Sequence, residues 1–377
     1  MTATARDLPA SIADLLPRVH VLRLPMITRF RGITEREVML LEGPAGWAEF
    51  SPFLEYGPLE SSRWLQAALE FAGLLPPESG QDRPLPGQAR PGSTSTAPTP
   101  ASTEPGRPTA RTSVPVNATL PARPVAEVES ILARFGAVGT VKAKVAENGI
   151  ASLPEDLARL RELRRLRPDV ELRLDANAKY TLAEALDAAE AFAGFGLQYF
   201  EQPVPGVEDL ARLREELAAR GLPVRLAADE SIRKAEDPLR VAGLGAAEVV
   251  IVKVQPLGGV AAARRIVAES GLPAVVSSAL ESSVGLAAGA QLAASLPVTA
   301  ASREVLGEMP ACGLGTARLF AEDVVADGLV PTDGRIPVTR IAPDPQRLTA
   351  LDAGPGRSEW WLRRAQACWD VLRSPTE

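Results

Sequence analysis

The chain has 377 residues, enough for one large domain or two ordinary ones with a sizeable core. Its 46% apolar and 23% charged composition is that of a soluble globular protein, and a net charge of −6 without any basic cluster argues against a nucleic-acid binder. One histidine, His20, and two cysteines, Cys312 and Cys368, leave no histidine-rich metal centre, no thiolate cluster and no disulfide framework.

The amino-terminal stretch "MTATARDLPASIADLLPRV" has no basic segment followed by an apolar core, and no apolar run in the chain reaches the length of a membrane span. The expectation is a reduced, cytoplasmic protein. Residues 17–56 alternate as antiparallel strands, "RVHVLRLPM" and "REVMLLEGPAGWAEFSPF", with Gly43-Pro44 and Gly46 marking a turn. His20 falls within the first of these and is expected to be structural. A helical run, "SSRWLQAALEFAGLL", follows. Residues 76–112 then carry nine prolines, no aromatic and one large aliphatic, Leu85. Such a segment cannot bury enough apolar area to offset chain entropy, so a disordered insertion is expected.

Beyond the insertion, short β-rich runs alternate with amphipathic stretches: "SVPVNATL", "GTVKAKV", "ELRLDAN", "LQYFEQP", "VRLAADES", "EVVIVKV" and "PAVVSSAL". Seven strand–helix units suit a parallel sheet. An eighth strand is expected near "VTAASREV", residues 298–305, which would complete a (β/α)8 barrel with its site at the carboxyl ends of the strands. A doubly wound sheet is the alternative, but no phosphate-binding glycine loop is found.

Five successive strands end in charge: Lys144, Asp175, Glu201, Asp229 and Lys253, spaced 24 to 31 residues apart. One such charge is commonly the polar start of a loop. Five would converge on one mouth of a barrel. Asp175, Glu201 and Asp229 are then three carboxylates that need a compensating cation, and hard oxygen ligands favour Mg²⁺, with Mn²⁺ as a substitute; three separate helix caps are the alternative. Asn177 and Glu230 are placed to orient these ligands. Lys142 and Lys144 share one face of their strand. That face meets either water or the barrel mouth; in the second case Lys142 is expected to help lower the proton affinity of Lys144 toward that of a useful base. Lys144 and Lys253 would stand on opposite sides of the metal, an arrangement suited to abstracting a proton beside a carboxylate.

At these residues the chain resembles the muconate-lactonizing-enzyme branch of the enolase superfamily, over its whole length except residues 76–112 and the termini. The likeness rests on "LPMITRFRGITERE", "GPAGWAEFSPFLEY", "VPVNATLPA", "VKAKVAE", "ADESIRKAEDPLRV", "KVQPLGGV" and "SSALESSVGLAAG". It implies an α+β capping domain from residues 1–75, completed by roughly 318–377, over a barrel of residues 113–317. It implies a small carboxylate substrate, Mg²⁺ held by Asp175, Glu201 and Asp229, Lys144 as base and Lys253 as the opposing ammonium. The implied reaction is syn dehydration of 2-succinyl-6-hydroxy-2,4-cyclohexadiene-1-carboxylate, a step toward menaquinone. Racemization of N-succinylamino acids by the same two lysines is the alternative. Arg29 and Arg31, in the position of a mobile capping loop, are candidates for the succinyl carboxylate or else surface arginines. Ser277 and Ser278 are candidate substrate contacts, and Cys312 reads as packing. A Schiff-base aldolase built on Lys144 or Lys253 is a further possibility, but it leaves the three carboxylates without a role. The sequence pattern assigns neither an oligomeric state nor a role for Lys179.

Overall fold

The computed structural model describes residues 9–76, 111–234 and 239–374, less Pro17 and Arg31. The expected disorder of 76–112 falls, but for the margins of that segment, outside the described residues.

Three antiparallel strands, Val19–Phe30, Ile33–Gly43 and Gly46–Phe50, form a meander in sequence order. The turn between the last two is tight because the chain passes close to a helix end. A Cβ on Gly43 would lie 2.5 Å from the Ala72 carbonyl oxygen, which accepts from the Ala45 N–H. That helix, Pro58–Ala72, starts with a proline at its first position and ends on Gly73 at φ +75°, whose N–H closes the last turn. It buries Trp64, Leu65 and Leu69 against the sheet.

The carboxyl-terminal helix Pro355–Arg373 packs on the same layer. Trp361 meets Phe50 edge-on at 5.7 Å and donates its indole N–H to Glu37. Arg364 donates to the carbonyls of Phe53 and Tyr56 at 2.7 and 2.8 Å. First and last segments of the chain thus share one core.

Seven parallel strands make the second unit: Ala118–Leu120, Thr140–Lys144, Glu171–Asp175, Leu197–Glu201, Leu226–Ala228, Val249–Val252 and Ala274–Val276, side by side in sequence order. The sheet curls, and Cys312 and Gly313 bridge its two edges. Cys312 donates to the Pro115 carbonyl and accepts from Asn117, while Gly313 donates to the Val276 carbonyl and accepts from Ser278. This two-residue bridge takes the place of the eighth strand. The expectation at 298–305 is corrected: Ala300–Leu306 is a helix, begun by a capping box between Thr299 and Ser302. No β-type alternation competes with that start signal.

Side chains on the two faces of the curled sheet enter different cores. Tyr199, Ala227, Val249, Ile251 and Val275 point inward and form a cluster of their own with Leu306. Leu172, Leu174, Phe200, Leu226 and Val250 point outward, into the larger core shared with the helices. Among the described residues no single helix is long and apolar enough to cross a membrane.

Candidate active site

Parallel register lines up the charges that end the strands. Lys144 lies beside Asp175, and Asp175 beside Glu201, on three adjacent strands. Asp229 and Lys253 are the first residues past the next two strands. Alternation points Glu201, Asp229 and Lys253 inward, because Tyr199, Ala227 and Ile251, two residues earlier, belong to the interior cluster, and the register with Glu201 puts Asp175 and Lys144 on the same face. The carboxylates are nearly inaccessible: Asp175 is 1%, Glu201 0% and Asp229 2% exposed.

Each is held by an ammonium group. Lys142 donates to both Glu201 oxygens at 2.9 Å and lies 3.1 Å from Asp175 Oδ2. Lys144 donates to Asp175 Oδ2 at 2.5 Å and to Asn177 Oδ1 at 2.6 Å. Lys253 donates to Asp229 Oδ2. Burial pulls the proton affinity of Lys142 down, but Glu201 and Asp175 outweigh it and hold its pKa well above the usual lysine value. The bonds that the structure gives Lys142 are therefore to the carboxylates, and it remains a fixed cation. Glu201 is pushed up to about 8, first by burial and then by repulsion from Asp175, against the attraction of Lys142. Burial also opposes the charge on Asp175, but Lys144 and Lys142 hold its carboxyl well below the ordinary range.

Asn177 bridges toward the fifth strand, its amide donating to Glu230 Oε1 at 3.3 Å and its backbone N–H to Asp175 Oδ1 at 3.1 Å. Both orienting residues expected from the sequence are thus brought to the site. Gln202 was missed. Its Oε1 accepts from the backbone N–H groups of Asp229 and Ser231 at 3.0 and 3.2 Å, so it fixes the junction at Asp229 between the fifth strand and the helix Glu230–Lys234. Its place directly after Glu201 in "FEQP" was the available signal.

Ser277 and Ser278 line the same cavity as the lysines, together with Thr119, Phe53, Leu280, Gly313 and Thr316. Ser278 and Thr316 share a hydroxyl hydrogen bond of 2.7 Å. Thr119, Thr316 and Phe53 come from three distant segments and carry no sequence signal. Glycine is required at 313, where a Cβ would lie 2.4 Å from Ser277 Oγ. Cys312 is buried in the closure, its thiol pushed up to about 12 by burial, which suits packing. The Arg29 backbone belongs to the first strand of the cap sheet, not to a loop. The Arg29 side chain and all of Arg31 lie outside the described residues. The Lys179 ammonium pairs with Glu147 at 2.9 Å near the surface.

The donor set fits a hard divalent cation: three buried carboxylates, one of them destabilised as an anion by its neighbour. Among the described residues, no three carboxylates surround a common point as placed. Their oxygens face the ammonium groups instead.

A family model for the enolase C-terminal domain matches residues 124–345, and one for the enolase N-terminal domain matches residues 21–72. The chain belongs to the enolase superfamily and is an enzyme of that fold, a curled parallel sheet beneath a separate amino-terminal domain. It is similar to the o-succinylbenzoate synthase of Mycobacterium marinum, with 45% identity over 365 residues and 97% of each chain covered. The o-succinylbenzoate synthase of Mycobacterium tuberculosis (strain CDC 1551 / Oshkosh) is 46% identical over 360 residues, covering 95% of each. Among solved structures, the N-succinyl Arg/Lys racemase from Bacillus cereus superposes with a TM-score of 0.63, covering 89% of this chain and 97% of that one. At 18% identity that likeness concerns the fold.

Proposed function

We propose that the chain is a hydro-lyase of the o-succinylbenzoate synthase type, converting 2-succinyl-6-hydroxy-2,4-cyclohexadiene-1-carboxylate to 2-succinylbenzoate by syn loss of water. The observation that carries this reading is the pair of lysines, 144 and 253, flanking a row of three buried carboxylates, in a chain 45% identical to enzymes of that name.

Lys144, as the free amine, takes the proton at C1, which leaves an enolate of the substrate carboxylate. For that, its ammonium must first leave Asp175. The ring then expels the C6 hydroxyl, Lys144 returns its proton to the departing oxygen, and the ring becomes aromatic. One residue on one face serves as base and then acid. Lys253, held by Asp229, keeps its charge and stabilises the enolate from the other side. Asp175, Glu201 and Asp229 would hold Mg²⁺, which supplies positive charge beside the substrate carboxylate. Lys142 stays protonated and offsets the negative charge of Glu201 and Asp175. Ser277, Ser278 and the walls formed by Thr119 and Phe53 shape the cavity around the succinyl group.

Purified protein with MgCl2 is expected to show rapid appearance of product absorbance from the cyclohexadiene substrate, abolished by chelator and by Lys144→Ala. The same preparation, given N-succinylamino acids in D₂O, tests the racemase reading. Efficient α-deuterium uptake with dehydration near background would replace this proposal with that one.

A further inference from the structure

Asp175 and Asn177 hold the Lys144 Nζ at its tip, but in the proposed reaction the amine must leave Asp175, and the root of the side chain is then what is left to aim it. A lysine side chain has four rotatable bonds, so the ammonium can be precise only if the backbone at its root is fixed. That backbone lies at an awkward place. Lys144 ends its strand, and two residues later Ala146, fully buried, takes φ +60°, the left-handed region that residues with a Cβ rarely occupy.

Two side chains from one helix, Leu153–Leu166, bracket this point. Arg159 Nη2 donates to the Lys144 carbonyl oxygen at 2.9 Å. Asp156 Oδ2 accepts from the Ala146 N–H at 2.9 Å. The two are joined to each other, Arg159 Nη2 donating to Asp156 Oδ1. The intervening Val145 N–H is held from the opposite side by the Asp175 carbonyl, at 3.0 Å. Every backbone polar group between the Lys144 carbonyl and the Ala146 N–H, save the Val145 carbonyl, is thus assigned a partner by these contacts. Asp156 is 0% and Arg159 6% exposed. A buried ion pair is a weak source of stability, because desolvation opposes the attraction, so what this pair supplies is its two bonds to the backbone.

We propose that Asp156 and Arg159 are positioning residues for the reaction: a clamp that fixes the backbone on either side of Val145 and so aims the Lys144 amine at the substrate proton. The proposal rests on the reading of Lys144 as the base. Neither residue touches the cavity, so loss of the clamp leaves substrate binding intact and slows the proton transfer.

The test is steady-state kinetics on the full-length protein with MgCl2, well below the melting transition, using Arg159→Met, Arg159→Lys, the nearly isosteric Asp156→Asn, and Lys144→Ala as reference. Arg159→Met is expected to lose kcat by about 10- to 100-fold, as an ångström-scale misplacement does, with KM changed less than about twofold. Arg159→Lys, which keeps the charge on a different geometry, is expected to recover part of the loss. Deuterium at C1 of the substrate gives the second readout: its effect on kcat should grow in both Arg159 variants as proton transfer becomes the slower step.

Retained turnover in Lys144→Ala would remove the base assignment, and the clamp with it. A dead Lys144→Ala alongside wild-type kcat in Arg159→Met and Asp156→Asn would overturn the clamp alone. So would a loss of activity that only follows the folded fraction, seen by circular dichroism, with an unchanged isotope effect.

Discussion

Glu49 on the cap sheet is buried against the barrel at 3% exposure, and replacing it by glutamine should change how stability depends on pH. Its Oε1 accepts from Ser51 Oγ at 2.6 Å and its Oε2 from the Ser282 N–H at 2.9 Å and from Ser282 Oγ, at the start of the helix Ser283–Ser295. Burial, then the nearby carboxylate of Glu281, push its pKa from 4.5 up to about 7, against the hydrogen bonds and Arg36. The folded state therefore holds a proton that the unfolded chain releases near pH 4.5. Stability from the neutral carboxyl is complete below pH 4.5 and is lost as pH rises through 7. At about 1.4 kcal/mol per unit, the loss is on the order of 3 kcal/mol. The entropy of unfolding, about 2.1 cal/mol/K per residue, makes that roughly 4 °C in Tm for a chain of this length. Thermal melts of wild type and Glu49→Gln at pH 5 and pH 8 are the assay. The two should agree within about a degree at pH 5, and the variant should melt about 4 °C higher at pH 8. Parallel melting curves across that range would refute the argument that burial sets the ionisation of Glu49.

Gly285→Ala would place a Cβ 2.6 Å from the Glu281 Cβ and 2.9 Å from Glu49 Oε2, so overpacking should cost about 1–3 kcal/mol, read as a lower urea midpoint. Lys142→Met removes the ammonium between Glu201 and Asp175; the metal-free protein should lose about 3–5 kcal/mol, and added MgCl2 should raise its Tm by more than it raises that of wild type. Burial opposes ionisation of Glu37, yet Arg357 and Trp361 hold its carboxyl below the usual range, so its contribution is present above the ordinary pKa and lost as pH falls through the folded value. Glu37→Gln should accordingly melt lower than wild type at pH 7 and approach it at pH 3, measured by circular dichroism.

The charged ends of five strands were legible without coordinates, because a strand has a period of two and each apolar run stops where its side chains meet water or a ligand. That local rule located Lys144, Asp175, Glu201, Asp229 and Lys253, and the run of strand–helix units around them suggested the barrel on whose mouth they would converge. The same rule failed for the closing strand. Cys312 and Gly313 are two residues held by bonds to Pro115, Asn117, Val276 and Ser278, and two residues have no periodicity to read. Helix-start chemistry at Thr299 instead took the segment expected to close the sheet. Partners across the fold were likewise invisible. The bond from Lys142 to Glu201 spans 59 positions, and those from Ser282 to Glu49 span 233. Sequence patterns record what each residue contributes to its own strand or helix. Which charge neutralises which, and which side chain from a neighbouring helix holds the backbone of Lys144, follow from parallel register and barrel closure, and these exist only once the chain is folded.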